Sequence, residues 1–204
     1  MLQLNKHVFD LKRPLLMGIL NITPDSFSDG GQYLNLDEAL KRAHQMIEEG
    51  VDIIDIGGES TRPGSEPVSV DEELKRITPI IEALKKKSDI AISVDTYKPQ
   101  VMKVVIGMDV AMINDVYALS QPGAIDIIKQ SHVGVCLMHM QGTPKTMQEN
   151  PHYTNVVTEV KLFLDARVKH LISEGIDKSR MILDPGFGFG KSLDHNLAIL
   201  ANFH

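Results

Sequence analysis

The 204 residues, 43% hydrophobic and 24% charged, suit one globular domain with a sizeable core and exclude a disordered chain. A net charge of -6 leaves no global positive field for nucleic acid or an anionic membrane, so an anionic ligand needs a local basic pocket, a bound metal ion, or both. The lone Cys136 forms no internal disulfide. The N-terminus carries no signal-peptide pattern, and nowhere do about 18 apolar residues run together, so the cytoplasm is the expected setting, without a membrane span.

In chain order, short apolar runs at 15–22, 51–56, 90–94, 110–113, 133–139 and 181–183 predict strands. None alternates polar with apolar, the pattern of parallel strands buried on both faces. Amphipathic stretches at 36–49, 70–87 and 154–174 predict helices, the first and third closed by Gly50 and Gly175. Repeated strand–helix units imply an α/β fold with right-handed crossovers. A (β/α)8 barrel and an open doubly wound sheet both satisfy this. The absence of a G-x-G-x-x-G turn after the first strand weakens the dinucleotide-binding form of the open sheet.

Polar residues fall at matching places. Asn21, Asp55, Asp95, the pair Asn114–Asp115, and Asp184 each follow an apolar strand segment. In a barrel, the carboxyl ends of the strands converge on one mouth, where the active site is built. One such residue is usually a turn former or helix cap, but a set in register points to recognition of a donor-rich heterocycle. An Asp facing a 2-aminopyrimidinone edge makes two parallel hydrogen bonds, and without the ligand such carboxylates raise one another's pKa.

Two long glycine- and hydroxyl-rich loops, 21–31 and 57–65, follow strands directly and read as mouth loops, with Arg62 as the anion contact. A third, 184–192, fails the nucleotide phosphate-loop pattern because Pro185 replaces the first glycine. Its alternating glycines, Gly188 among them, allow close backbone approach to a ligand beside Phe187 and Phe189, one of which is expected to be ordinary packing. Cys136 and His139 are expected to be structural rather than a nucleophile and a base.

The segments 17–31 and 55–64, continued by 93–96, 113–116, 137–140 and 184–191, resemble the signatures of the dihydropteroate synthase family, in the family's order. The resemblance implies a (β/α)8 barrel that joins 6-hydroxymethyl-7,8-dihydropterin pyrophosphate to p-aminobenzoate and releases pyrophosphate. By matching position, it places Asp95, Asn114 and Asp184 on the pterin, with Met138 and Val116 near its ring and Asp55 in support. It places Asn21 on Mg2+ and Arg62 on phosphate, while Thr61, Pro63 and Phe189 border the p-aminobenzoate site, where sulfonamides compete, and Gly188 is a further substrate-binding residue. It also implies a homodimer. A pterin-dependent methyltransferase and a non-catalytic or partner-dependent pterin-binding barrel fragment are the rival readings. Six strands are countable, so the expectation is one barrel domain, 1–204, that lacks its last two strand–helix units, including a lysine after strand seven and an Arg/His motif after strand eight.

Overall fold

The computed structural model describes residues 1–22, 32–60 and 65–203. A hairpin of β1 (Leu2–Leu4) and β2 (His7–Phe9) precedes six parallel strands: β3 (Met17–Asn21), β4 (Ile53–Gly57), β5 (Ala91–Asp95), β6 (Met112–Asp115), β7 (Gly134–Met138) and β8 (Met181–Asp184). The six pair in sequence order, each with the next, so every connection is a crossover to the neighbouring strand. Helices α1 (Gln32–Glu48), α2 (Val70–Lys87), α3 (Pro99–Gly107), α4 (Ala124–Lys129), α5 (Val156–Ser173) and α6 (Leu193–Ala201) fill the crossovers and follow β8. This is six units of a (β/α)8 barrel. Among the described residues, β3 and β8 are edge strands, and apolar side chains such as Ile19 and Leu193 are exposed beside them.

The helices form where local signals agree. Ser69 caps α2 by accepting from Glu72 N at 3.2 Å, and acidic residues 71–73 and basic residues 85–87 complement the helix dipole at its two ends. Asn155 caps α5 the same way, accepting from Thr158 N. Pro99 opens α3 at a position that needs no amide hydrogen.

Alternation along the strands makes two cores. Leu20, Ile54, Ile56, Ile92, Val94, Ile113 and Val135 face the helices and pack with Ile77, Ile81, Leu84, Val101 and Val105. The opposite face carries Ile53, Ala91, Met112 and Cys136 deep in the sheet, where Leu2 and Leu4 of the hairpin cover them. Gly134 makes that cover possible, since a Cβ there would lie 2.1 Å from Leu4 Cδ2. Burial raises the Cys136 thiol well above its ordinary pKa, which fits an inert core residue.

The sequence misses the hairpin, α3 and α4. It ends the second strand at 56, one residue before β4 closes at Gly57.

Candidate active site

Strand register assembles the site. Asn21 pairs with Gly57, Gly57 with Asp95, and Asp95 with Asn114. The three polar side chains therefore share one row and one face at the carboxyl ends of β3, β5 and β6. The gap at Gly57 matters, because a Cβ there would meet Asn21 Oδ1 at 3.2 Å and Asp95 Oδ2 at 3.7 Å. Met138 and Asp184 pair with each other two residues beyond the row defined by Asn114, Cys136 and Ile182, still nearer the mouth. Met138 and Val116 are buried.

Asp55 lies one layer deeper than its sequence position suggests. It pairs with Ser93 rather than with Asp95, and it is buried. Its Oδ2 accepts from Asn114 Nδ2 at 3.0 Å. Its Oδ1 and Ser93 Oγ have no hydrogen-bond partner among the described residues, although Ser93 and Asn114 both ease ionisation of a carboxyl whose pKa burial raises. Burial likewise pushes the Asp95 carboxyl well above its ordinary range, and the charges of Asp55, Asp115, Glu73 and Glu59 push it further. Burial is the larger cause in both, and repulsion from neighbouring carboxylates adds to it at Asp95.

Asp115 does not join them. It faces away from that row, and its two oxygens accept from Tyr117 N and Leu119 N, each at 2.8 Å. Those bonds hold a turn in which Ala118 and Leu119 both adopt positive φ. Burial raises Asp115 to about 6. Its part is to fix the loop after β6, which carries Val116 and brings Tyr117 edge-on to Tyr97 at 5.1 Å.

The loop after β8 is bound tightly at its root. Asp184 Oδ1 accepts from Gly186 N at 2.7 Å. Gly186, at φ +69, sits so close to β7 that a Cβ would lie 2.0 Å from the His139 carbonyl oxygen. Gly188 is exposed and Phe189 half-buried. Phe187 is exposed, with its ring 6.1 Å from that of Phe203. His139 is buried edge-on to Phe163, with Lys191 Nζ 3.1 Å from its Nδ1. Burial and that ammonium lower its pKa to about 4, which suits a structural imidazole rather than a base at neutral pH.

Thr61, Arg62 and Pro63 lie outside the described residues, as does most of the first mouth loop. Residues flanking the second loop are described, and they reveal an anchor missed from sequence. Glu59 accepts from Tyr97 Oη at 3.0 Å and from Val68 N at 3.1 Å. Lys98 bridges Glu59 to the buried Glu73, its bond to Glu73 measuring 2.5 Å. Arg76 reaches the Gly58 carbonyl oxygen at 2.9 Å. The available signal was Lys98 itself, placed three residues beyond Asp95 where a strand-end loop must close.

No group of three or more His, Cys, Asp or Glu side chains able to hold a metal occurs among the described residues. Nor is any helix of the described residues long and apolar enough to cross a membrane.

A family model described as a pterin binding enzyme matches residues 17–204. The chain belongs to that family, the class its parallel barrel sheet and its strand-end Asp and Asn residues define. Its relatives are dihydropteroate synthases, transferases of folate biosynthesis, and the chain belongs among them. It is 49% identical to the Haemophilus influenzae dihydropteroate synthase over 200 residues, covering 98% of this chain and 73% of that one. Identity to the Escherichia coli K12 enzyme is 51% over 198 residues, covering 96% and 70%. A Yersinia pestis dihydropteroate synthase solved with a sulfonamide drug complex superposes with a TM-score of 0.92 at 47% identity, covering 99% of this chain and 74% of that one. The Burkholderia cenocepacia enzyme, complexed with 7,8-dihydropteroate, gives 0.88 at 47% identity, covering 99% and 69%.

Proposed function

We propose that Asp95, Asn114 and Asp184 hold the pterin of 6-hydroxymethyl-7,8-dihydropterin pyrophosphate while p-aminobenzoate displaces the pyrophosphate. The observation that carries this reading is the single row of Asn21, Asp95 and Asn114 on one face of the sheet. Donors on the pterin edge satisfy carboxylates that otherwise repel one another, so binding relieves a cost built into the empty site. Asp55 supports Asn114 from the layer beneath, and Met138 and Val116 pack against the ring. Arg62 contacts the phosphates, while Thr61, Pro63, Gly188 and Phe189 border p-aminobenzoate.

In the reaction the carbon–oxygen bond to pyrophosphate breaks and leaves positive charge on the pterin methylene, which flanking carboxylates stabilise. The neutral aniline nitrogen then forms the carbon–nitrogen bond and loses a proton, so no strong base is required. Mg2+ is the proposed metal. The cradle at Gly57 offers Asn21 Oδ1 as a hard oxygen ligand with Asp95 Oδ2 nearby, which fits an ion that takes one or two protein oxygens and completes its shell with phosphate and water. When bound, it neutralises charge on the departing pyrophosphate.

The proposal extends to one barrel domain, the cytoplasm as the compartment and a homodimer. Sedimentation velocity tests the homodimer. For the reaction, pterin pyrophosphate is titrated first and p-aminobenzoate is added second. Pyrophosphate release on the second addition supports the transferase, while tight binding with no release favours a non-catalytic pterin-binding module.

A further inference from the structure

We propose that Lys191 is a positioning residue that ties the loop after β8 to the end of β7 and thereby sets the wall on which p-aminobenzoate rests. The inference rests on the proposed place of Phe189 beside that substrate. Lys191 is 3% exposed, which is rare for a lysine and costly unless every proton on its ammonium has a partner. Here each does. Nζ donates to the Gly186 carbonyl at 2.8 Å and to the Phe189 carbonyl at 2.9 Å, and it reaches the His139 carbonyl at 3.2 Å and His139 Nδ1 at 3.1 Å. Three segments thus meet on one cation: the end of β7, the first turn after Asp184, and the backbone of Phe189 itself.

Among the described residues, the other bonds to this wall close its turn or hold its edges. Phe189 N donates to Gly186 O at 3.1 Å, which closes the turn the ammonium fills. Tyr153 Oη donates to the Gly190 carbonyl at 2.8 Å, Asn196 accepts from Gly188 N at 2.9 Å, and Gln148 Nε2 donates to the Gly188 carbonyl, all from the periphery. Gly190 packs so closely on Gln141 that a Cβ would meet its carbonyl oxygen at 2.6 Å. Sequence alone leaves this lysine as the tail of a failed phosphate-loop match, but the structure turns it inward onto His139, Gly186 and Phe189. Burial lowers its pKa to about 8, so the ammonium persists at neutral pH. The imidazole it faces stays neutral and accepts through Nδ1.

The test compares wild type with Lys191→Met, which keeps length and apolar bulk, and Lys191→Gln, which keeps two donors without charge. Amide hydrogen exchange is read first. Phe189 N–H should exchange at least about tenfold faster in Lys191→Met, and to a lesser degree in Lys191→Gln, while β5 amides keep their protection. Steady-state kinetics are read second. KM for p-aminobenzoate should rise about tenfold in Lys191→Met, with KM for the pterin pyrophosphate and kcat within about threefold. A merely structural lysine would lower kcat per mole of protein through lost folded enzyme and leave both KM values alone, which overturns the proposal, as does unchanged exchange at Phe189. If Lys191→Met does not fold, Lys191→Gln is read alone by the same criteria. Phe189→Ala serves as the control for the underlying reading. A normal p-aminobenzoate KM in that variant removes the wall and overturns the proposal, whereas a raised KM there with a normal one in Lys191→Gln refutes the tie alone. Should wild type show no turnover, the proposed function fails and the exchange data still decide whether Lys191 orders the loop.

Discussion

Asn114 Nδ2 donates to Asp55 Oδ2 across 3.0 Å, and this bond joins two layers of the sheet interior. Asn114 stands in the row with Asp95 and Asn21, whereas Asp55 stands one layer down beside Ser93. The amide leaves its carbonyl oxygen for a ligand donor while its amino group quiets a buried carboxylate. Replacing it with alanine removes the partner of Asp55 Oδ2. Asn114→Ala should lose about 1–3 kcal/mol of stability, read from urea denaturation midpoints with m unchanged. Asn114→Asp should be worse, since it sets a second carboxylate against Asp55.

Asp95 makes a prediction of opposite sign. Burial and neighbouring carboxylates raise its folded pKa above the unfolded value. The folded state therefore holds a proton that the unfolded chain releases first. That contribution is greatest at low pH and is lost as pH rises through the folded pKa, so the buried carboxyl weighs against folding at neutral pH. Asp95→Asn should raise the Tm of the ligand-free protein at pH 7–8 by at least about 2 °C while abolishing turnover. A lower Tm in Asp95→Asn would contradict this account.

His139 sets an acid limit. Its folded pKa is lowered to about 4 by burial and by Lys191, against about 6.5 in the unfolded chain. Between those values the unfolded chain binds a proton and the folded protein does not, so stability falls as pH drops from about 6.5 toward about 4. His139→Gln should flatten that part of the stability–pH curve, measured by denaturation at closely spaced pH values.

Two glycines separate backbone strain from steric exclusion. Gly175 has φ +90, and a Cβ added there would meet nothing within 4 Å, whereas Gly186 has φ +69 with the His139 carbonyl oxygen 2.0 Å from the same added atom. Gly175→Ala should cost about 1 kcal/mol, the strain of a left-handed alanine. Gly186→Ala should cost several times more and disturb Asp184, whose carboxylate accepts from the Gly186 amide. Thermal melts of the two variants compare them directly.

Much of this was legible in the residues, for identifiable reasons. The six barrel strands announce themselves because parallel strands buried on both faces need largely apolar runs such as 110–113. Asp95, Asn114 and Asp184 were readable because each interrupts such a run where the chain must turn at the mouth. Asp55 was grouped with the strand-end residues because it follows two isoleucines, and the pairing with Ser93 of β5 shows that it lies one layer below Asp95. The β1–β2 hairpin escaped because its strands have three residues each and its turn relies on Asn5 at φ 54 rather than on glycine. α3 escaped because its apolar residues run almost without a polar face. Lys98 offered only its position after Asp95 as a signal, and the tie made by Lys191 was invisible, because a lysine's burial depends on carbonyls and carboxylates brought from distant segments.

The central claim is that the aligned Asp95 and Asn114 hold the reacting pterin. Pyrophosphate release should be followed with pterin pyrophosphate varied at saturating p-aminobenzoate for wild type, for Asp95→Asn and for Asn114→Ala, each confirmed folded by circular dichroism. The expected result is a loss of about 100-fold or more in kcat/KM for the pterin substrate in Asp95→Asn, and about tenfold or more in Asn114→Ala. Folded variants that turn over within about threefold of wild type would contradict it.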